Sequence, residues 1–197
     1  MQMKSALDAH ALDQLFREAR TVNGWTDRPV TDADIHAIYD LAKFGATTAN
    51  SSPARFVWIR SAAAKARLEP LLSEGNRAKT MKAPVTVIVA HDEEFPPTLA
   101  KLFPHNETAV HWFPGEAAKI EAQRSGTLQG AYLMLAARAL GFDCGPMAGF
   151  DKDGVNAEFL AGTSWKANFI CAIGEGTTEN LFPRSPRLDF DEANKVL

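Results

Sequence analysis

Five short segments hold most of the residues whose types suggest ligand chemistry. ARTVNGW (19–25) sets Arg20 beside Thr21, with Asn23 two places on. Arginine presents a planar, permanently charged fork of donors that suits phosphate or carboxylate. Arg187 repeats that chemistry in PRL (186–188), with Arg184 just upstream. TTANSSPARF (47–56) offers small hydroxyl and amide groups at Thr48, Asn50 and Ser52. GNRAKT (75–80) places Asn76 and Lys79 three apart, so a helix would carry both on one face. GPMAGF (145–150) sets Gly145 and Gly149 around Pro146, where glycine permits close backbone approach and proline stiffens the turn. Read singly, these are solvated arginines, a turn, a capping asparagine with an exposed lysine, and a helix-to-strand connection. No side-chain acid–base pair stands out.

Other motifs fail on their spacing. GEGTTE (174–179) follows a predicted strand and copies half of a dinucleotide fingerprint, but it lacks the third glycine. Too little chain remains after it for a βαβ unit. There is no Walker-type phosphate loop and no GxSxG elbow. His105 and His111 have no cysteine or carboxylate at zinc spacing, so no metal is expected. Cys144 and Cys171 form no CxxC pair and sit in apolar surroundings, as inert buried thiols do.

Composition narrows the class. The chain has 197 residues, 46% apolar and 23% charged, enough to bury a core without disulfides. A net charge of -3 gives no broad attraction to nucleic acid. The N-terminus lacks an apolar signal region, and no apolar run approaches the length of a membrane span. The expectation is a soluble, cytoplasmic protein with no membrane or nucleic-acid partner.

The elements that position these residues follow from periodicity and punctuation. Ser5 and Asp8 resemble a capping pair ahead of a helix bearing Leu12, Leu15, Phe16 and Ala19. Thr31 with Asp34 opens a second helix that stops at Gly45. Strands are expected at 55–60, 85–91 and 168–173, with helices at 62–72 and 155–160. The strand after Pro84 is almost wholly apolar, which predicts a central position covered on both faces. Residues 93–115, with Pro96, Pro97, Pro104 and Pro114, read as a long loop or lid carrying Trp112 and Phe113. A helix over 116–140, interrupted at Gly126, has an Ala-rich second half suited to burial or a subunit interface. GFDCGPMAGF (141–150) reads as a glycine-rich turn, and Asp191 as the start of a last short helix. Strands and helices do not alternate regularly, which favours α+β over a doubly wound fold.

Taken in order, the five segments resemble the nitroreductase-like flavoprotein superfamily, over nearly the whole chain. Within it the match is nearest the malonic semialdehyde reductases of uracil catabolism (RutE-like proteins). The resemblance implies one FMN-binding domain over residues 1–197. Its fold would be a three-layer α/β/α sandwich with a mixed, largely antiparallel sheet, dimeric and with a C-terminal extension. It also implies NAD(P)H as reductant and a homodimer with FMN at the subunit interface.

The family's pattern implies roles by position. Arg20, with Thr21 beside it, and Arg187 would hold the FMN phosphate. Thr48, Asn50 and Ser52 would reach the partner subunit's flavin. Lys79 would lie near the N1 and C2-oxygen edge, where a cation stabilises the reduced ring. Asn76 would bond the pyrimidine side, and Asn23 the ring edge. In the turn Pro146, Met147, Ala148 and Gly149, a backbone N–H near Ala148 or Gly149 would face N5. Trp112 and Phe113 are candidates to roof the ring, and Arg55 to hold a substrate carboxylate.

The chain departs from the family's pattern at two places. Ala19 and Asn23 replace basic residues that many members carry in the first motif. Ser52-Pro53-Ala54 stands where many have Gln-Pro-aromatic. The second shifts the expectation from nitroarenes toward malonic semialdehyde or a similar small semialdehyde, reduced to a 3-hydroxy acid. A general nitro/quinone reductase and a flavin-binding protein without turnover are the alternatives. The sequence contains no recognisable 2′-phosphate pocket to separate NADPH from NADH.

Overall fold

The computed structural model describes residues 5–197. Asp8, not Ser5, caps the first helix, because it is Asp8 that immediately precedes the helix and accepts the Ala11 N–H at 2.8 Å. That helix, α1 (Ala9–Leu12), runs into a π-helical stretch, Asp13–Arg17. After β1 (Gly24–Trp25), Thr31 and Asp34 form the expected reciprocal capping box and start α2 (Asp32–Ala42). β2 (Ala54–Ile59) leads to α3 (Ala62–Leu68), which ends short of the expected Leu72. Pro70 has no N–H to continue the helix, and the chain tightens into a 3-10 turn at Glu69–Leu71. α4 (Glu74–Lys82) and β3 (Val85–Asp92) follow.

The stretch at 93–115 is not a bare loop. It folds into short turns and α5 (Leu99–Leu102), around a small core of Phe95, Leu99, Ala109, Ala118 and Ala122. Next, α6 (Glu116–Ala139) is continuous through Gly126. A Cβ on Gly126 would sit 2.8 Å from the His91 Cβ, so the missing side chain lets the helix lie on the sheet. The expected glycine-rich turn is instead β4 (Asp143–Met147), whose Pro146 is tolerated because β4 is an edge strand. α7 (Lys152–Phe159), β5 (Trp165–Gly174), β6 (Gly176–Thr177) and α8 (Phe190–Ala193) complete the chain. Asp189, not Asp191, caps α8, in a capping box with Glu192.

The main sheet has the order β2-β3-β5-β4, and every neighbouring pair is antiparallel. The parallel component among the described residues is a single bridge, Thr21 to Cys144. GEGTTE supplies β6, which pairs with β1 rather than opening a nucleotide fold. β3 is buried along its whole length, as its composition predicts. Val85, Val87 and Val89 pack with Ile38 and Ala42 of α2 and Leu133, Ala136 and Ala137 of α6. Ile88 and Ala90 pack on the other face with Leu68 of α3 and Val155 of α7. Two cores on one sheet make the α/β/α sandwich. Each fully buried branched side chain contributes roughly 1.5–3 kcal/mol, so β3 anchors the molecule.

Cys144 and Cys171 are both buried and unpaired. The neighbouring Cys144 thiol and burial together push the Cys171 thiol well up, away from the reactive thiolate. No helix among the described residues is long and apolar enough to cross a membrane.

Candidate functional site

The first motif is held against the edge of the sheet by backbone contacts. The Val22 N–H donates to the Cys144 carbonyl at 3.3 Å. Gly145 is what permits this approach, since a Cβ there would lie 2.9 Å from the Val22 carbonyl oxygen. The glycine therefore serves chain packing rather than a ligand. Trp25 then donates its indole N–H to the Lys79 carbonyl at 3.0 Å and fixes α4 beside the motif.

These contacts enclose a cavity of about 560 Å³ between the first motif, α4, the end of α6 and the C-terminal tail, within the range of small-molecule sites. Arg20, Thr21, Asn23, Lys79 and Arg187 all line it. Residues from three separate parts of the chain thus meet in one place. Arg138 and Arg184 line it too, giving five cations and no carboxylate. None of the five forms an ion pair among the described residues. The donors of the four arginines go to backbone carbonyls instead. Arg20 donates to Phe182, Arg138 to Leu15 at 3.2 Å, and Arg184 to Arg17 at 2.6 Å and Ala19 at 3.1 Å. Arg187 donates to Ser185 at 2.9 Å and Pro186 at 3.0 Å. A guanidinium has five N–H groups, so each retains donors for an anion.

The tail closes one side. Asn23 donates its amide to the Asn180 carbonyl at 3.2 Å, and Phe182 lines both this cavity and a smaller one floored by Gly75, Ala78 and Lys79. Phe16, Arg138 and Phe182 were not among the expected site residues. Arg138 had one available signal: it is the sole charge in LQGAYLMLAARAL.

On the other flank of α4, the Asn76 amide donates to the Gly149 carbonyl at 2.8 Å. Asn76 and Lys79 do share α4, but the Asn76 N–H₂ group is engaged with the protein. Met147 is buried and accepts from the Thr80 hydroxyl at 3.5 Å, and Pro146 pairs with Cys171 in the sheet. Ala148 is exposed. Among the described residues the backbone N–H groups of Ala148 and Gly149 donate to no protein acceptor. They leave two directed donors at the end of β4.

The second motif lies elsewhere. Thr48, Asn50 and Ser52 line no wall of the basic cavity. The Thr48 N–H reaches the Ser125 hydroxyl at 3.3 Å, Asn50 donates to the Leu102 carbonyl at 2.9 Å, and Ser52 borders a separate aromatic cavity. Ala49, Asn50 and Ser52 have φ of 50°, 52° and 42°. Three left-handed non-glycine residues in one turn store strain of the kind found at functional sites.

Three further candidates lie outside the basic cavity. Phe113 packs on Phe95 against the satellite core, Trp112 is exposed with one edge on Phe103, and neither lines the basic cavity. Arg55 is ion-paired to Asp92 at 2.7 Å, so its charge is already satisfied.

The donor set fits a phosphate-bearing flavin. It has cations without competing carboxylates at one end, an ammonium on α4, and free backbone donors beyond it.

A nitroreductase family model matches residues 16–175, and the chain belongs to the nitroreductase family. It is 56% identical over 192 residues to a "Putative NADH dehydrogenase/NAD(P)H nitroreductase" of Caulobacter sp. (strain K31), covering 97% of this chain and 98% of that protein. A protein of the same name from Xanthomonas oryzae pv. oryzae is 58% identical over 193 residues, with 97% and 98% covered. The fold matches that of a "putative nitroreductase in complex with FMN" from Exiguobacterium sibiricum, with TM-score 0.83, 20% identity and 100% of both chains covered.

Proposed function

We propose that this chain is an FMN-dependent NAD(P)H oxidoreductase of the nitroreductase type, one domain over residues 1–197 acting as a homodimer. The observation that carries this reading is the carboxylate-free cavity where Arg20, Arg187 and Lys79 converge. FMN bound there would supply the redox chemistry, accepting hydride from NAD(P)H and passing reducing equivalents to an acceptor.

The protein's part is binding and electrostatics. Arg20 and Arg187, with the Thr21 hydroxyl, hold the phosphate dianion by charge-assisted bonds. Lys79 places a positive charge where the ring becomes electron-rich, which favours the reduced form. The Ala148 and Gly149 N–H groups offer hydrogen bonds without a side-chain wall. Asn76 holds that donor pair in place through the Gly149 carbonyl. The strained turn at Thr48, Asn50 and Ser52 completes the site of the partner subunit.

The relatives' names carry a nitroreductase activity, so a broad nitro/quinone reductase is the reading they favour. Malonic semialdehyde rests on Ser52-Pro53-Ala54 alone. One sequence of measurements tests all of this. Purified protein should show flavin absorbance that NADPH or NADH bleaches without oxygen, and an absence of flavin sinks the proposal. Flavin that is never bleached identifies a carrier without turnover. A panel of nitroarenes, quinones and malonic semialdehyde then ranks acceptors, and a clear preference for the semialdehyde reverses the substrate order. Light scattering should give a mass near twice the 21.5 kDa chain.

A further inference from the structure

Among the described residues α6 buries three polar side chains, Glu121, Ser125 and Gln129. Their spacing of four sets them in one row along the helix, and that row meets the 47–54 segment. The Ser125 hydroxyl donates to the Glu121 carboxylate at 2.6 Å and accepts the Thr48 N–H at 3.3 Å. One turn further on, the Gln129 side-chain carbonyl accepts the Ala54 N–H at 2.8 Å. The helix therefore grips the strained turn at both ends, with Ala49, Asn50 and Ser52 and their positive φ in between.

That turn would not keep its shape unaided. Left-handed non-glycine residues persist only where their surroundings over-determine them, and the Ser51 hydroxyl is buried there without a partner among the described residues. A carboxylate only 4% exposed is costly to bury unless it is paired. Arg124 pairs with one Glu121 oxygen at 2.8 Å, and the other takes the Ser125 proton. A charged acceptor there fixes the hydroxyl hydrogen on Glu121 and turns an oxygen lone pair toward Thr48.

We infer that Glu121, Ser125 and Gln129 are positioning residues that hold Thr48, Asn50 and Ser52 in the shape that meets the partner subunit's flavin. This rests on the reading above, in which the turn completes the partner's site. Ser125 and Gln129 fix the two ends directly, and Glu121 acts through the Ser125 hydroxyl. None of the three lines the basic cavity of its own chain.

The competing role is stability alone, with three buried groups that only hold α6 in place. FMN Kd by fluorescence titration and hydrogen exchange of residues 47–54 in flavin-free protein separate the two. Ser125→Ala and Gln129→Met each release one end, so one folded variant suffices. Each should raise the Kd about tenfold, the scale of one directed bond, and speed exchange across 47–54. Glu121→Gln, which keeps an acceptor for the Ser125 proton, should retain most of the affinity that Glu121→Ala loses. Leu133→Ala leaves a cavity in the same helix against β3, so it should lower the urea midpoint without moving the Kd. Yellow protein whose Ser125→Ala and Gln129→Met variants keep the native Kd overturns the inference. So does a Leu133→Ala protein that loses flavin as readily as they do.

Mixed dimers test the partner's part. Co-purified Arg20→Gln and Ser125→Ala chains would combine both defects in one site and leave the other intact, so one class of sites should bind FMN with native affinity. Absence of that class overturns the inference. An unaltered protein that takes up no FMN sinks the flavin reading and this role with it, whereas insensitive variants of a yellow protein sink this role alone.

Discussion

The side-chain amide of Asn76 donates to the Gly149 carbonyl at 2.8 Å, joining α4 to the chain just beyond β4. Through that bond, the element that carries Lys79 is fixed relative to the free N–H groups of Ala148 and Gly149. Asn76→Ala removes the bond, at about 1 kcal/mol of stability. Its larger effect should be on flavin retention, because the Ser73 N–H bond to the same carbonyl, at 3.1 Å, is then left to hold the two sides of the ring site together. The absorbance ratio of flavin to protein after gel filtration measures this. Unchanged flavin content in the variant would mean that the bond only trims the fold.

Gly149→Ala probes the same contact from the opposite side. Its Cβ would sit 2.7 Å from the Asn76 amide nitrogen and 3.1 Å from the Ser73 hydroxyl. Asn76 must move, so flavin loss should accompany a fall of about 1–2 kcal/mol in urea stability.

Five cations facing one cavity repel each other until an anion arrives. Inorganic phosphate should therefore raise the melting temperature of flavin-free protein, by ligand linkage. For a domain of this size each 1 kcal/mol corresponds to roughly 2–4 °C. Arg20→Gln should reduce that gain and weaken FMN binding by about tenfold or more, the scale of one charge-assisted bond. Fluorescence titration gives the Kd.

Gly130 sets helix propensity against packing. Alanine would help α6 by about 1 kcal/mol, but its Cβ would lie 2.5 Å from the Phe169 ring and 3.1 Å from a buried Val89 methyl. Overpacking costs about 1–3 kcal/mol, so Gly130→Ala should destabilise on balance. A urea midpoint above that of the unaltered protein would refute the packing argument.

His91 gives a pH prediction with a definite sign. Burial pulls its pKa below the ordinary 6.5, helped by Lys152 and Lys166 and opposed by Asp92. Its Nδ1 is buried without a partner among the described residues. The unfolded chain binds the proton more readily than the native one. Stability from His91 is thus full above the unfolded value of 6.5 and is lost as pH falls from there toward the lower folded value. Urea midpoints from about pH 7.5 to 5.5 should fall less steeply in His91→Gln than in the unaltered protein.

Local signals in the sequence were enough for several elements. Thr31 and Asp34 specify a helix start through adjacent groups, and the apolar run after Pro84 could be accommodated only between two layers. The segments beside Pro70, Gly126 and Pro146 resisted such reading, because their outcome depends on what lies across from them. Gly126 breaks nothing once His91 fills the space beside it. GPMAGF becomes a strand because β5 offers it an edge. Residues 93–115 gain structure by closing on Phe95, Leu99 and Ala109.

The sequence by itself determined the chemistry available. It provided arginines suited to phosphate, a lysine and an asparagine one helical turn apart, and a glycine-flanked proline, in an order that resembles one family. Residue type and short spacing are local properties, so they can be read without a fold. The tertiary structure decided which of these groups meet. Arg20, Lys79 and Arg187 are brought to one cavity while Thr48, Asn50 and Ser52 are kept apart from it. It also added Arg138 and drew in Arg184, and the two bond to backbone carbonyls 123, 167 and 165 residues away in sequence. Convergence over such distances is set by packing on β3 and by the tail folding back, neither of which has a local signature.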